Sequence, residues 1–169
     1  MTEEILLTRE GYDKIVAEHE ELVSVRRKEV SERLKEAISY GDLSENAEYK
    51  VAKQERNKNR SRIRYLEAMI RTAKVIPVAS APDVIGLFDH VTYYRSDLDK
   101  TKIIQIVTTL RQDALAGFIS KASPLGKALL GHRVRDTVTA VVSDTKRYNV
   151  EIRSLEKGED NTDLPISTF

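Results

Sequence analysis

Before residue 77 the chain holds two glycines, Gly11 and Gly41, and no proline; all four prolines occur from Pro77 onward. Glycine and proline are the residues that most often interrupt a helix, so this stretch permits two long helices broken once, at Gly41. Thr8 stands at a capping position ahead of Glu10 and Asp13, which belong in a first turn where the helix dipole favours negative charge. The positions Tyr12, Val16, His19, Val23, Val30, Leu34 and Ala37 follow three- and four-residue steps and predict a helix to about Ile38. A second helix is expected after Gly41-Asp42, running to about Lys74, with Ile63, Leu66, Ile70 and Ala73 along one face.

At 1.5 Å per residue each arm is roughly 40 to 45 Å long, and a lone helix of this composition is marginal unless the two pair antiparallel. The expected seam weakens away from its base, because Asn59, Arg56 and Ala52 are poor seam residues. The reading is therefore a projecting finger, firmest at its base and looser toward its tip. Charged residues make up 33% of the 169-residue chain and the hydrophobic set 40%, which suits a solvated extension attached to a modest core.

Past Ile76 the apolar period changes to two, as in His90-Val91-Thr92-Tyr93, Thr137-Val138-Thr139-Ala140-Val141 and Tyr148-Asn149-Val150-Glu151-Ile152, with Ile103–Val107 as an apolar-rich strand. Ser123-Pro124 supplies an N-cap and a proline at the first helical position, and Gly131 follows Ala128-Leu129-Leu130 as a stop, so one short helix should pack on the sheet. The expected organisation is α+β, with a finger over residues 1–76 and a small sheet domain over 77–155. Residues 156–169, polar and acidic, are expected to form a disordered tail. No apolar run reaches about 18 residues, and Met1-Thr2-Glu3-Glu4 lacks the basic start of a signal peptide, so a soluble, cytoplasmic protein without a membrane partner is expected.

Absence of cysteine removes disulfides, thiol catalysis and Cys-based zinc sites. His19, His90 and His132 show no ligand spacing, and no glycine-rich phosphate loop or nucleophile elbow occurs, so a self-contained enzyme is not expected. Chemistry concentrates at the reversal, Gly41-Asp42-Leu43-Ser44-Glu45-Asn46-Ala47-Glu48-Tyr49. Two readings of Asp42 and Glu45 remain open from spacing alone. They can form a capping box for the second helix, or they can supply part of the oxygen shell of a hard divalent cation whose other ligands come from a partner. Just behind them Lys50, Lys53, Arg56, Lys58, Arg60, Arg62 and Arg64, offset only by Glu55, make a local charge of +6 in a chain whose net charge is +1. That patch is either a solvated helix face or a surface for a phosphate backbone; with no tryptophan in the chain, base stacking is not its main mode.

The segment Gly41–Tyr49 closely resembles the tip signature of the bacterial GreA/GreB transcript cleavage factors. A second block, Ile119-Ser120-Lys121-Ala122-Ser123-Pro124-Leu125-Gly126-Lys127-Ala128-Leu129-Leu130-Gly131, is similar to that family's carboxy-terminal signature. The resemblance covers about residues 5 to 155. It implies an amino-terminal antiparallel coiled coil and a carboxy-terminal FKBP-like domain with no need for isomerase activity. It further implies an accessory factor whose globular domain docks on the rim of bacterial RNA polymerase's secondary channel through Ser120, Ala122, Ser123 and Pro124; because the hairpin satisfies its own seam, a monomer is expected. The coiled coil would enter that channel, Asp42 and Glu45 helping to hold a magnesium ion shared with the polymerase and the attacking water. Lys50, Lys53, Arg56, Lys58 and Arg60 would face the nascent RNA 3′ end, and backtracked RNA would be cut. The alternative is a non-cleaving paralogue that occupies the channel and modulates the polymerase. The chain departs from the family pattern at Ala122, at Arg111–Gly117 and at Ser143–Arg147.

Overall fold

A computed structural model describes residues 5–78, 80–164 and 166, which divide into two compact units. The first, residues 9–74, is a helical hairpin. Its first arm comprises α1 (Arg9–Glu21), a π-helical turn (Leu22–Arg26) and α2 (Arg27–Ser39), and its second is α3 (Ala47–Thr72). The buried side of the first arm carries Ile15, Val30, Leu34 and Ala37; that of the second carries Ala52, Leu66 and Met69.

The π turn explains where the expected seam and the observed one part. Ile15 and Val30 are fifteen positions apart, about 4.2 turns of an α-helix, so a regular helix carries the second off the face of the first. A π turn is wider and absorbs one extra residue, which returns Val30 to the seam. Its cost is local: no residue of Leu22–Arg26 is buried, and Val23, an expected seam position, is 38% exposed. Toward the tip the seam closes again. Leu34, Ala37 and Ala52 form a small buried cluster against Tyr49, because alanine on both arms allows close approach. Ala52 is thus a seam residue, contrary to the expectation of a loosening tip.

Ion pairs staple the arms where apolar contact is thin. Arg62 donates to both carboxylate oxygens of Glu18, at 2.7 and 3.0 Å, and Arg33 Nη1 lies 3.2 Å from Glu55. The Arg62 fork is half-buried, and this carboxylate pairing holds its guanidinium above the usual range.

The second unit, residues 5–8 and 75 onward, is built on a five-stranded mixed sheet. With β1 (Leu6–Leu7) and β2 (Lys74–Val75) as short strands, the sheet strands are β3 (His90–Arg95), β4 (Lys100–Val107), β5 (Phe118–Ser120), β6 (Thr137–Val141) and β7 (Arg147–Glu156). Their order is β5-β4-β3-β7-β6, antiparallel throughout except for the parallel β4–β5 pair. The register of β3 on β7 shifts between Thr92 and Tyr93, a bulge that increases local twist. One face buries Val91, Tyr93, Ile104, Ile106, Val138, Ala140, Val150 and Ile152 under Leu125 and Leu129 of α4 (Pro124–Leu129). The period-two pattern in β6, buried at Val138 and Ala140 and exposed at Thr137, Thr139 and Val141, is what the sequence predicts for a half-covered strand.

The described part of the carboxy-terminal segment is not the expected disordered tail. Lys157 Nζ donates to Asp89 Oδ2 at 2.7 Å and to the Val84 carbonyl at 2.6 Å. Gly158 passes so close to the chain that a Cβ would lie 2.2 Å from the Phe88 carbonyl oxygen. The Gln105 side-chain amide donates to the Glu159 carbonyl at 3.1 Å. Asp160 then meets Arg111, whose side chain is only 3% exposed: Arg111 Nε lies 2.9 Å from Asp160 Oδ1, close enough for strong charge pairing although the N–H is not aimed along that contact. Arg111 Nη1 also donates to the Leu164 carbonyl at 2.8 Å, and the Thr8 hydroxyl donates to Asp160 Oδ2 at 2.5 Å. Composition misses this because the segment buries little apolar surface of its own; it is ordered by polar groups that would otherwise be buried unpaired. Residues 165 and 167–169 of the expected tail lie outside the described residues.

Replacing Asp160 by alanine strands a buried guanidinium and should lower the unfolding free energy by about 3 to 5 kcal/mol. Asp160→Asn, which keeps an acceptor, should cost less. Urea unfolding followed by tyrosine fluorescence measures both.

Candidate functional site at the hairpin tip

Between Ser39 and Ala47 the chain must reverse while leaving the last carbonyls of one helix and the first N–H groups of the next without intrahelical partners. Tyr40 ends α2, and Gly41 follows at φ +107°, a conformation open to glycine and strained for other residues. One side chain then serves both helix ends. The Asn46 amide nitrogen donates to the Ala37 carbonyl at 2.8 Å, and its amide oxygen accepts from the Tyr49 N–H at 3.0 Å. Asn46 is the N-cap of α3, and the helix begins at Ala47. This overturns the capping-box reading and the helix start expected straight after Asp42. Asparagine is a preferred N-cap, so Asn46-Ala47-Glu48 carried a legible signal, masked by the equally good Asp-x-x-Glu pattern upstream.

The acids are thereby left to the solvent. The backbone N–H of Ser44 donates to Asp42 Oδ1 at 2.9 Å and its hydroxyl donates to the same oxygen at 2.8 Å. These two bonds favour the charged form and lower the Asp42 carboxyl below its ordinary value. Asp42 Oδ2 is outside both bonds. The Glu45 side chain is exposed and has no partner among the described residues. The two carboxylates therefore retain free oxygens at the end of the hairpin, one fixed by a tight turn and one without a partner among the described residues. Such a donor set fits part of the shell of a hard, oxygen-seeking cation such as magnesium. Among the described residues no group of three or more His, Asp or Glu side chains converges on a common point.

The basic stretch behind the tip divides into separate surfaces. Lys50, Lys53, Arg56, Lys58 and Arg60 are all exposed on α3. At about 100° per residue, Lys53, Arg56 and Arg60 fall on one flank within about 60° of one another, while Lys50 lies about 60 to 120° from them and Lys58 about 140 to 160° away. Lys53 sits over the Tyr49 ring, 5.8 Å from its centroid. Arg62 leaves the patch altogether for Glu18.

In the second unit Ser120, Ala122, Ser123 and Pro124 form one continuous turn. Ser120 is buried, contacts Thr109 Oγ1 at 3.0 Å and accepts from the Ala122 N–H, so its hydroxyl shapes the turn from inside. Ser123 caps α4 by accepting from the Gly126 N–H at 3.0 Å, and Pro124 is exposed at its first position. Gly126 lets the helix press on the loop, since a Cβ there would sit 2.2 Å from the Ser120 carbonyl oxygen.

Two family models match the chain. One, described as transcription elongation factor, N-terminal, matches residues 5–75, and the other, transcription elongation factor, GreA/GreB, C-term, matches residues 80–157. A protein of Clostridioides difficile (strain 630) named transcription elongation factor GreA is 44% identical over 142 residues, 83% of this chain and 89% of its own length. One of the same name from Leuconostoc citreum (strain KM20) is 40% identical over 152 residues, 89% of this chain and 95% of its own. Among solved structures, Gfh1 of Thermus aquaticus is 28% identical with a TM-score of 0.43, covering 91% of this chain and 99% of that one.

Replacing Ser44 by alanine removes one of the two bonds that hold Asp42 ionised. A carboxyl-carbon NMR titration should place Asp42 below the ordinary aspartate range in the parent and nearer to it in Ser44→Ala. Any stability that this depressed group lends is present above the unfolded-state value and lost as pH falls through the folded one.

Proposed function

Because the chain belongs to the GreA/GreB family of transcription elongation factors, we propose that it binds bacterial RNA polymerase, inserts its hairpin into the secondary channel and stimulates the polymerase's own cleavage of backtracked RNA. The observation that carries this reading is the division of labour at the tip. Asn46 supplies the capping, so Asp42 and Glu45 are free to act on something outside the chain.

Asp42 and Glu45 are the residues that would hold magnesium together with the polymerase. A magnesium ion bound there supplies Lewis-acid polarisation of the scissile phosphodiester and a more acidic water. Asp42 presents an ionised oxygen whose orientation is fixed by Ser44, so little reorganisation is required when the tip meets its partner. Glu45, unbonded, adjusts to complete the arrangement and orient the attacking water. Lys50, Lys53, Arg56, Lys58 and Arg60 offer positive charge to the phosphates of the displaced RNA 3′ end, the second, third and fifth on a common flank. The turn Ser120–Pro124 is the docking element, its backbone held by Ser120 and its outer surface presented by Ala122 and Pro124. In this reading residues 1–76 reach and act, residues 77–155 dock, and the protein is an accessory to the polymerase in the cytoplasm rather than an enzyme by itself.

The test is cleavage of 3′-labelled RNA in stalled, backtracked elongation complexes supplied with magnesium. Outer-shell changes at metal sites cost about 10- to 100-fold, so the loss of a direct oxygen ligand in Asp42→Asn, or of both in Asp42→Asn, Glu45→Gln, should reduce stimulation at least that much. Polymerase binding should persist. Full activity in the double variant rejects the reading, and absence of cleavage by the parent with binding intact makes it a channel-occupying regulator.

A further inference from the structure

Between the two arms of the hairpin lies a groove of about 510 Å³. Arg27 lines it from the first arm, and Arg56, Arg60 and Arg64, spaced four apart and so stacked along one side of α3, line it from the second. None of these four has a carboxylate partner among the described residues, whereas Arg26, Arg33 and Arg62 in the same hairpin are each paired. The floor is made by Val30 and Ile63, with Asn59 beside them. The Asn59 amide oxygen is buried without a hydrogen-bond partner. A buried acceptor left unpaired is costly, and turning the Asn59 side chain toward the groove lets it meet an incoming donor.

The groove is also finite. Toward the tip the arms meet at Leu34, Ala37 and Ala52, and toward the base His19 Nε2 and Glu67 Oε1 approach to 3.4 Å across them. Glu67 is the one acid in the lining, and it is engaged by His19. A short compartment ringed by unpaired guanidinium groups favours a ligand that concentrates several negative charges in a small space. A strand of RNA spreads one charge per nucleotide and would run past such a compartment. Guanidinium forks match phosphate oxygens bidentately, the apolar floor suits the face of a base, and Asn59 offers an acceptor to a base amino group or ribose hydroxyl.

We propose that this groove is a binding site for a free nucleoside polyphosphate, with Arg27, Arg56, Arg60 and Arg64 on the phosphates and Asn59, Val30 and Ile63 under the nucleoside. It is separate from the tip acids and does not depend on RNA cleavage. It shares Arg56 and Arg60 with the flank proposed to face RNA, so the test uses Arg27 and Arg64, which lie outside that set.

The experiment is a titration of the ¹⁵N-labelled full-length protein with ATP in magnesium-free buffer, with adenosine and a short single-stranded RNA as parallel titrants. ATP should shift the amides of Val30, Asn59 and Ile63, adenosine at equal concentration should not, and Arg27→Gln, Arg64→Gln should weaken ATP binding on the order of tenfold or more with an unchanged helical spectrum. Asn59→Leu, which fills the floor and removes the acceptor, should weaken it as well. No shift at these amides into the millimolar range, a shift confined to Lys50 and Lys53, or undiminished binding by the double arginine variant overturns the proposal. Tighter binding of the RNA than of ATP at these same amides also overturns it, in favour of a polynucleotide surface.

Discussion

Two helices that turn back on each other within the few residues between Ser39 and Ala47 face a polar problem before an apolar one. Carbonyls at the end of α2 and N–H groups at the start of α3 need partners, and the tip has no core to shelter them. The Asn46 side chain answers both ends at once, because an amide is the only common neutral group that donates and accepts from adjacent atoms. Everything distinctive about the tip follows from this. The seam can close down to Ala37 and Ala52, the glycine turn is anchored, and neither Asp42 nor Glu45 is needed to cap α3.

That arrangement bears on how much was readable beforehand. The helical hairpin, the sheet half with its short helix and the exposed tip acids all followed from period, from Gly and Pro placement and from the signature blocks, since each rests on local pattern. The capping assignment failed because Asp42 and Glu45 satisfy the same spacing rule that Asn46 satisfies three-dimensionally. Choosing between them requires knowing that the Ala37 carbonyl lies within reach, a contact across the turn. The seam failed between Val16 and Val23 for a related reason. A heptad count presumes a constant residue number per turn, and the Leu22–Arg26 turn breaks it.

The carboxy-terminal segment was misread for a different reason. Disorder was inferred from few apolar residues, a rule that assumes burial of carbon is what orders a chain. Here the demand comes from the other side: Arg111, Gln105 and Asp89 are buried in the sheet unit and need polar partners, and Lys157, the Glu159 carbonyl and Asp160 meet them. Arg111 lay in a stretch already seen to depart from the family pattern, and Asp160 lies beyond residue 157, where the matched family region ends. The departure and the extra segment are therefore two halves of one ion pair.

Pairing also separates structural from functional charge in the hairpin. Arg62 with Glu18 and Arg33 with Glu55 join the arms, and their charges cancel where they stand. Asp42 and Glu45 at the tip, and Arg27, Arg56, Arg60 and Arg64 along the groove, have no oppositely charged partner among the described residues. Leaving six such groups unpaired gives the hairpin no stability, and the like charges along α3 oppose helix formation slightly. A solvated face would mix signs, as the rest of both arms does. Segregation of acids at one point and arginines in one groove instead sets up two fields of opposite sign, which is what the proposed cation at the tip and the proposed phosphate ligand behind it would each require.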